Sequence, residues 1–198
     1  MFTEIARSLR PAIVLLLLMT LLLGLAFPAL ITGIAQVAMP AQANGSLIRD
    51  GDRVIGSELI GQQFATDRYF HPRPSAAGKN GYDASASVAT NLAPGSKDLR
   101  DTSAARVDDA RAHGMTGGSV PPDLVTTSAS GLDPHLSPEA AFVQIARVSR
   151  IRDLPEAQVR ALIESRIEHP LLGIIGERRV NVLLLNRQLD TLSASRAG

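Results

Sequence analysis

The feature that most constrains this chain lies near its start: from Pro11 to Ile48 there is no charged residue. Within that stretch Ala12 to Ile31 holds nine Leu, two Ile, Val14 and Phe27. At about 1.5 Å per residue such a helix spans roughly 30 Å, the thickness of a bilayer's hydrocarbon core. Each central Leu, Ile, Val or Phe favours insertion by roughly 0.3–0.6 kcal/mol, so the total is favourable even after Gly24 and Pro28. A buried helix of a soluble protein seldom stays apolar all round for so long. The expectation is an N-terminal segment 1–11, a transmembrane helix 12–31, a linker 32–45 and a folded domain 46–198.

The flanks set the expected orientation. Arg7 and Arg10 precede the segment with Glu4 as the only acid, and no basic residue follows until Arg49. Basic residues stay on the cytoplasmic side, so the N-terminus is expected there and the domain on the far, periplasmic side of a cell (inner) membrane. The rival reading is a signal peptide cleaved after Ala43, since Ala41-Gln42-Ala43 has the small-x-small form that signal peptidase accepts. The apolar stretch exceeds the usual h-region of about 7–15 residues, which favours a retained anchor.

Composition narrows the function classes. Of 20 Lys+Arg and 19 Asp+Glu, only Arg7, Arg10 and Glu4 precede residue 40, so the remainder balances to zero. Nucleic acid demands a basic stripe, and none is present. There is no cysteine among the 198 residues, which excludes disulfides, a lipoprotein anchor and thiolate metal sites. The domain must be held by packing alone.

Past residue 45 the patterns are mixed. Asp50-Gly51 between Leu47-Ile48-Arg49 and Arg53-Val54-Ile55 predicts a β-hairpin. Tyr69 to Gly95 carries Pro72, Pro74, Gly78, Gly81 and Pro94 with no period, which predicts a long loop of functional weight. A helix is expected over Ser96–His113, then a loop at Gly117-Gly118 and Pro121-Pro122. Ser137-Pro138 predicts a helix start, an N-cap followed by Pro at the first position. Asp153 with Glu156 predicts another, running through Val159, Leu162, Ile163 and Arg166 to Pro170. Arg179–Leu185 reads as a strand and Asn186–Leu192 as a short terminal helix. The fold class expected is α/β (mixed α+β) with a small sheet, plus the N-terminal transmembrane helix.

Chemistry-bearing patterns are sparse. His71 and His135, with Asp83 or Asp133, are candidate metal ligands, but their spacing fits no helix-borne pair, and loop-pinning hydrogen bonds explain them more simply. No Gly-x-Ser-x-Gly elbow, Walker loop or Gly-x-Gly-x-x-Gly occurs, and Ser128-Ala129-Ser130-Gly131 lacks a strand-to-helix elbow. Asp108-Asp109 reads as a solvated helix surface. These residues indicate a non-catalytic domain with no metal site. In the anchor, Thr20 and Gly24 lie four apart, a small-xxx-small face that lets a second helix approach closely.

Several motifs together resemble one family. Gly56-Ser57-Glu58-Leu59-Ile60-Gly61-Gln62, Tyr69-Phe70-His71-Pro72-Arg73-Pro74-Ser75, Val120-Pro121 through Asp123, and Thr126 to His135 are similar to the C subunit of the Kdp-type potassium-transporting ATPase. So are Ala140 to Val148 and Gly176 through Asp190. Arg178 departs from the Pro that the family often has there. The resemblance implies an accessory subunit in a complex with a channel-like potassium-translocating subunit, a P-type ATPase subunit and a small membrane peptide. It also implies a role in assembly and as a catalytic chaperone raising the ATPase subunit's affinity for ATP, with ATP as the one cofactor reached through the complex. Docking residues expected on these terms are Thr20, Gly24, Tyr69, Phe70, His71, Arg73, Ser75, Ser130, Asp133 and His135. Gln144 is the polar residue that a direct nucleotide contact would use, and a loop-pinning hydrogen bond explains it equally well. Nucleotide is cytoplasmic and the domain is expected outside, so any influence on ATP must pass through coupled conformations.

Overall fold

Backbone polar groups in lipid are satisfied only within their own segment, which makes a helix the expected form for the apolar stretch. The computed structural model describes residues 2–115, 118–170 and 172–197, and the stretch is helical throughout. Helix α1 (Phe2–Leu21) continues through one π-helical turn (Leu22–Ala26) into α2 (Phe27–Ala38). Over Arg7–Ala38 it is long and apolar enough to cross a membrane. Pro28 has no N–H, and its ring crowds the carbonyl of Gly24 four residues back. The wide turn lies over that carbonyl, with Phe27 N–H donating to Leu22 O, so the ladder opens where the proline would clash.

Helix persists further than the hydropathy pattern marks. The segment 32–45, expected as a linker, is helical to Ala38 and again in α3 (Pro40–Ala43). Met39 breaks the run at φ −143°, ψ 59°, because a residue before proline is pushed out of the helical region.

The second unit, residues 48–198, begins in a hairpin, β1 (Leu47–Asp50) and β2 (Arg53–Ser57). Its loop is Gly51-Asp52, one residue later than expected. Gly51 alone in the loop takes positive φ, +57°, as in a type II′ turn. No helix or strand follows until α4 (Lys97–Ala112), so the long loop forms as expected. Ser96 caps α4, its Oγ accepting from Leu99 N–H at 3.1 Å. Gly117 of the next expected loop lies outside the described residues.

After a 3-10 turn at Pro122–Leu124 come β3 (His135–Leu136), α5 (Pro138–Phe142), α6 (Ile145–Arg152), α7 (Glu156–Glu164), β4 (Ile167–Glu168), β5 (Arg179–Asn181) and α8 (Val182–Ala197). Ser137 caps α5 through Ala140 N–H, as expected. Three boundaries differ. Asp153 does not open α7; it ends α6 in the left-handed conformation, φ 53°, and Pro155 precedes α7. Arg166 and Pro170 lie beyond α7, which stops at Glu164. The strand expected over Arg179–Leu185 ends at Asn181, whose Oδ1 accepts from Leu184 N–H at 3.1 Å and starts α8. Val182, Leu185 and Leu189 are then buried at helical spacing.

The small sheet runs β3-β5-β4, with β5 central and both pairings antiparallel. Leu136 and Ile167 both pair with Val180, which is fully buried. Val148, Val159, Ile163, Leu185 and Leu189 complete the core with Phe70, which arrives from the long loop.

Candidate functional site

The Phe64–Ser75 segment has no regular structure, so its backbone groups need partners from elsewhere. Two buried amides supply them. Asn186 of α8 accepts from Phe70 N–H at 2.9 Å and donates Nδ2 to Phe70 O at 3.0 Å. Gln144, between α5 and α6, accepts from His71 N–H at 2.8 Å and donates Nε2 to His71 O at 3.1 Å and Ala140 O at 3.0 Å. Each amide thus treats one loop residue as a neighbouring strand would. Gln144 Oε1 also accepts from Arg147 Nη2 at 2.6 Å. Both donors and both acceptor sites of Gln144 are used, and the residue is fully buried.

Two arginines of α6 take the loop's carbonyls. Arg147 donates to Asp67 O and to Tyr69 O; Arg152 donates to Arg68 O at 2.7 Å and pairs with Asp190 at 2.8 Å. Tyr69 donates its hydroxyl to Asp190 at 3.1 Å while the Arg152 guanidinium lies 4.7 Å over its ring. Phe70 is buried at the centre of this clamp, and His71 is half-buried at its edge. Burial first, and the Arg147 charge second, lower the His71 pKa from its ordinary 6.5.

Beyond Pro72 the loop turns against the Ser128–His135 segment. Arg73 Nη1 lies 3.3 Å from Asp133 and 3.7 Å from Asp123. Asp133 accepts from His135 N–H at 3.0 Å, with the His135 ring 3.4 Å away. Burial pushes the Asp133 carboxyl up, but its hydrogen bonds from His135 and the Arg73 charge outweigh burial and leave it below its ordinary value. Ser75 donates to Gly131 O at 2.5 Å and accepts from Ala77 and Tyr82 N–H. Ser130 O accepts from Val88 N–H at 3.1 Å and the Ser87 hydroxyl at 2.9 Å. Gly131 sits at φ +67°, and a Cβ there would lie 2.8 Å from Val88 O and 2.9 Å from Ala77 N. No side chain larger than hydrogen fits between the two segments.

The residues expected to dock therefore fall into three groups. Tyr69, Phe70 and His71 belong to the clamp. Arg73, Ser75, Ser130, Asp133 and His135 meet where the two loops join; Ser130 is exposed, the other four half-buried. Thr20 and Gly24 share one face of the long helix, where a Cβ on Gly24 would meet only the Thr20 methyl, 4.0 Å away. His71 and His135 engage different acids, Asp67 and Asp133, while Asp83 turns to Ser85. Among the described residues no group of three His, Cys, Asp or Glu is placed to hold a metal. Sequence reasoning missed Asn186, Arg147, Arg152, Asp123 and Tyr82, whose hydroxyl donates to Arg73 O. Arg147 and Asn186 carried a signal, since each falls on the buried face of its helix, beside Val148 and Leu185.

Among the described residues, the polar side chains of this region are spent on the chain's own loops. The family model described as the K+-transporting ATPase, c chain (KdpC) matches residues 9–191. The Potassium-transporting ATPase KdpC subunit of Gemmatimonas aurantiaca is 52% identical over 96% of this chain and 95% of its own. The proteins of that name from Nitratidesulfovibrio vulgaris and Caulobacter vibrioides are 51% identical (100% of this chain, 98% of theirs) and 55% identical (92% of each). With a family match over nearly its whole length and full-length relatives at this level of identity, the chain belongs to the KdpC family, the c chain of the K+-transporting ATPase.

Proposed function

We propose that this subunit crosses the membrane once, N-terminus in the cytoplasm, and holds its folded unit against the outward face of the potassium-translocating subunit. It forms no covalent intermediate and stabilises the assembly. Arg7 and Arg10 on the N-terminal flank support the orientation. The helix running unbroken from Phe2 to Ala38, with Ala41-Gln42-Ala43 inside α3, favours a retained anchor over a cleaved peptide.

The observation that carries the reading is the joining of the Tyr69–Ser75 and Ser128–His135 loops. Arg73–Asp133 and Ser75–Gly131 lock two irregular segments into one surface, which presents a partner with a preorganised face at little entropic cost. Any effect on the ATPase subunit's affinity for ATP is a coupling between conformational states across the membrane. Gln144 takes no part in nucleotide contact on this reading, because its hydrogen-bonding capacity is consumed within the fold.

Deleting residues 12–31 while keeping the folded unit is expected to abolish co-purification with the other subunits. Normal assembly and transport by that variant would count against the proposal. Because the chain has no cysteine, Lys79→Cys, at an exposed position outside the joined loops, gives one thiol, expected to react with an impermeant maleimide in intact cells. Protection there, with labelling only after lysis, reverses the orientation.

A further inference from the structure

The π-helical turn at Leu22–Ala26 leaves a backbone acceptor without a donor. In an α-helix Leu23 O would accept from Phe27 N–H, four residues on. That N–H donates instead to Leu22 O. The donor five residues on would be Pro28, which has no N–H. A helical Ser or Thr reaches back to a carbonyl three or four positions earlier, and the positions that would serve Leu23 are Ala26 and Phe27. Between Pro11 and Ala38 the only side-chain donors are Thr20, Thr32 and Gln36. Thr20 lies before Leu23, and the other two reach back only to later carbonyls. Among the described residues, Leu23 O thus has no donor within the chain.

Depth decides what can supply one. Leu23 lies midway along Arg7–Ala38, the stretch long and apolar enough to cross a membrane. At about 1.5 Å per residue, roughly 12 Å of helix separates it from Ile31, the expected outer end of the span. Water and lipid headgroups do not reach that depth, where an unmet carbonyl is costly. The turn has no buried residue, and a Cβ on Gly24 would meet only the Thr20 methyl, 4.0 Å away. A second helix can therefore come close to the backbone at this level. A second copy of this chain does not fit the need: in a parallel pair its Thr20 hydroxyl stands about one turn off the level of Leu23 O. The c-chain family of a K+-transporting ATPase implies other chains to meet.

We propose that the Leu23 carbonyl accepts a hydrogen bond from a side-chain N–H or O–H on a transmembrane helix of another subunit, seated against the Gly24 face. The inference rests on the reading of Arg7–Ala38 as a membrane span, and it gives the small face a polar anchor at mid-bilayer. By supplying no N–H of its own, Pro28 reserves an acceptor for the partner.

Two Leu-Gly pairs occur in the chain, Leu23-Gly24 and Leu172-Gly173. Leucine labelled with heavy carbon at the carbonyl, together with glycine labelled with heavy nitrogen, gives two nitrogen-filtered carbonyl signals in solid-state NMR. Leu172→Asn removes one and assigns the other. The full chain is read in vesicles at low protein density, alone and after assembly with the unlabelled other subunits. The Leu23 signal is expected upfield of ordinary helical carbonyls in the free chain and downfield once assembled. A signal that stays upfield in the assembled complex overturns the hydrogen bond. One already downfield in dilute vesicles assigns the donor to the chain itself or to water, and one that moves with protein density assigns it to a second copy; either overturns the partner. Pro28→Ala returns Phe27 N–H to Leu23 O, so its signal should start downfield and recovery of the other subunits should fall severalfold. Full recovery by that variant overturns the anchor. Magnetisation transfer to Leu23 from lipid acyl protons checks the span separately: transfer from water alone overturns the span, and the inference with it.

Discussion

Gln144 and Asn186 show how single side chains replace a strand. The loop through Phe70 and His71 has no ladder partner, and two amides satisfy its N–H and C=O groups from positions far away in sequence. Gln144→Leu keeps the volume but leaves the half-buried amide and carbonyl of His71 and the buried Arg147 guanidinium short of partners. At about 1–3 kcal/mol per unmet group, the full chain in detergent should lose roughly 3 kcal/mol or more. Circular dichroism melting against the wild type reads that loss. His71 adds a pH dependence. Its folded pKa lies below the ordinary 6.5, so the unfolded chain takes up a proton first on acidification. The stability it contributes is full above that ordinary value and is lost as pH falls through the lower folded one. His71→Gln should therefore flatten the fall in melting midpoint between about pH 7 and about pH 5, a slope that is read from parallel melts.

Among the elements, local chemistry decided some boundaries and long-range contact decided others. Ser96 and Ser137 were legible as caps because an N-cap needs only the next turn of its own helix. Asp153 was misread for the complementary reason: a left-handed C-cap and an N-cap both favour Asp or Asn, and spacing to Glu156 does not separate them. The strand expected through Leu185 failed because Val and Leu runs fit both periods, and the Asn181 side chain tipped the balance to helix after three residues. Glycines differ in the same way. Gly51 has positive φ with open space around it, whereas Gly131 has positive φ and backbone atoms at 2.8 and 2.9 Å from a built Cβ. Gly51→Ala should cost about 1 kcal/mol, since only the turn is strained. Gly131→Ala adds a clash with backbone and should cost about 1–3 kcal/mol more. It should also separate the joined loops, seen as faster amide exchange at Ala77 and Val88. Equal costs for the two glycines would contradict the close-approach reading.

At the scale of the whole chain, the proposed function gives the helix and the folded unit separate tasks, and their substitutions should separate accordingly. Gly24→Leu fills the small face beside Thr20, within the helix itself. We expect the melting of the folded unit to be unchanged and recovery of the other subunits on affinity purification to fall severalfold. Unchanged recovery would remove Thr20 and Gly24 from the docking face. The apolar helix, the small α+β unit and the family were legible in the residues alone, because hydropathy, caps and ordered motifs are local properties readable in a single pass. It placed the Tyr69–Ser75 and Ser128–His135 loops as important without showing that they join. That Gln144 clamps a loop, that Arg73 meets Asp133 across 60 positions, and that Leu172, Ile174 and Ile175 stay exposed emerged from long-range packing. Those outcomes depend on which distant backbone groups lack partners, and periodicity carries no record of that.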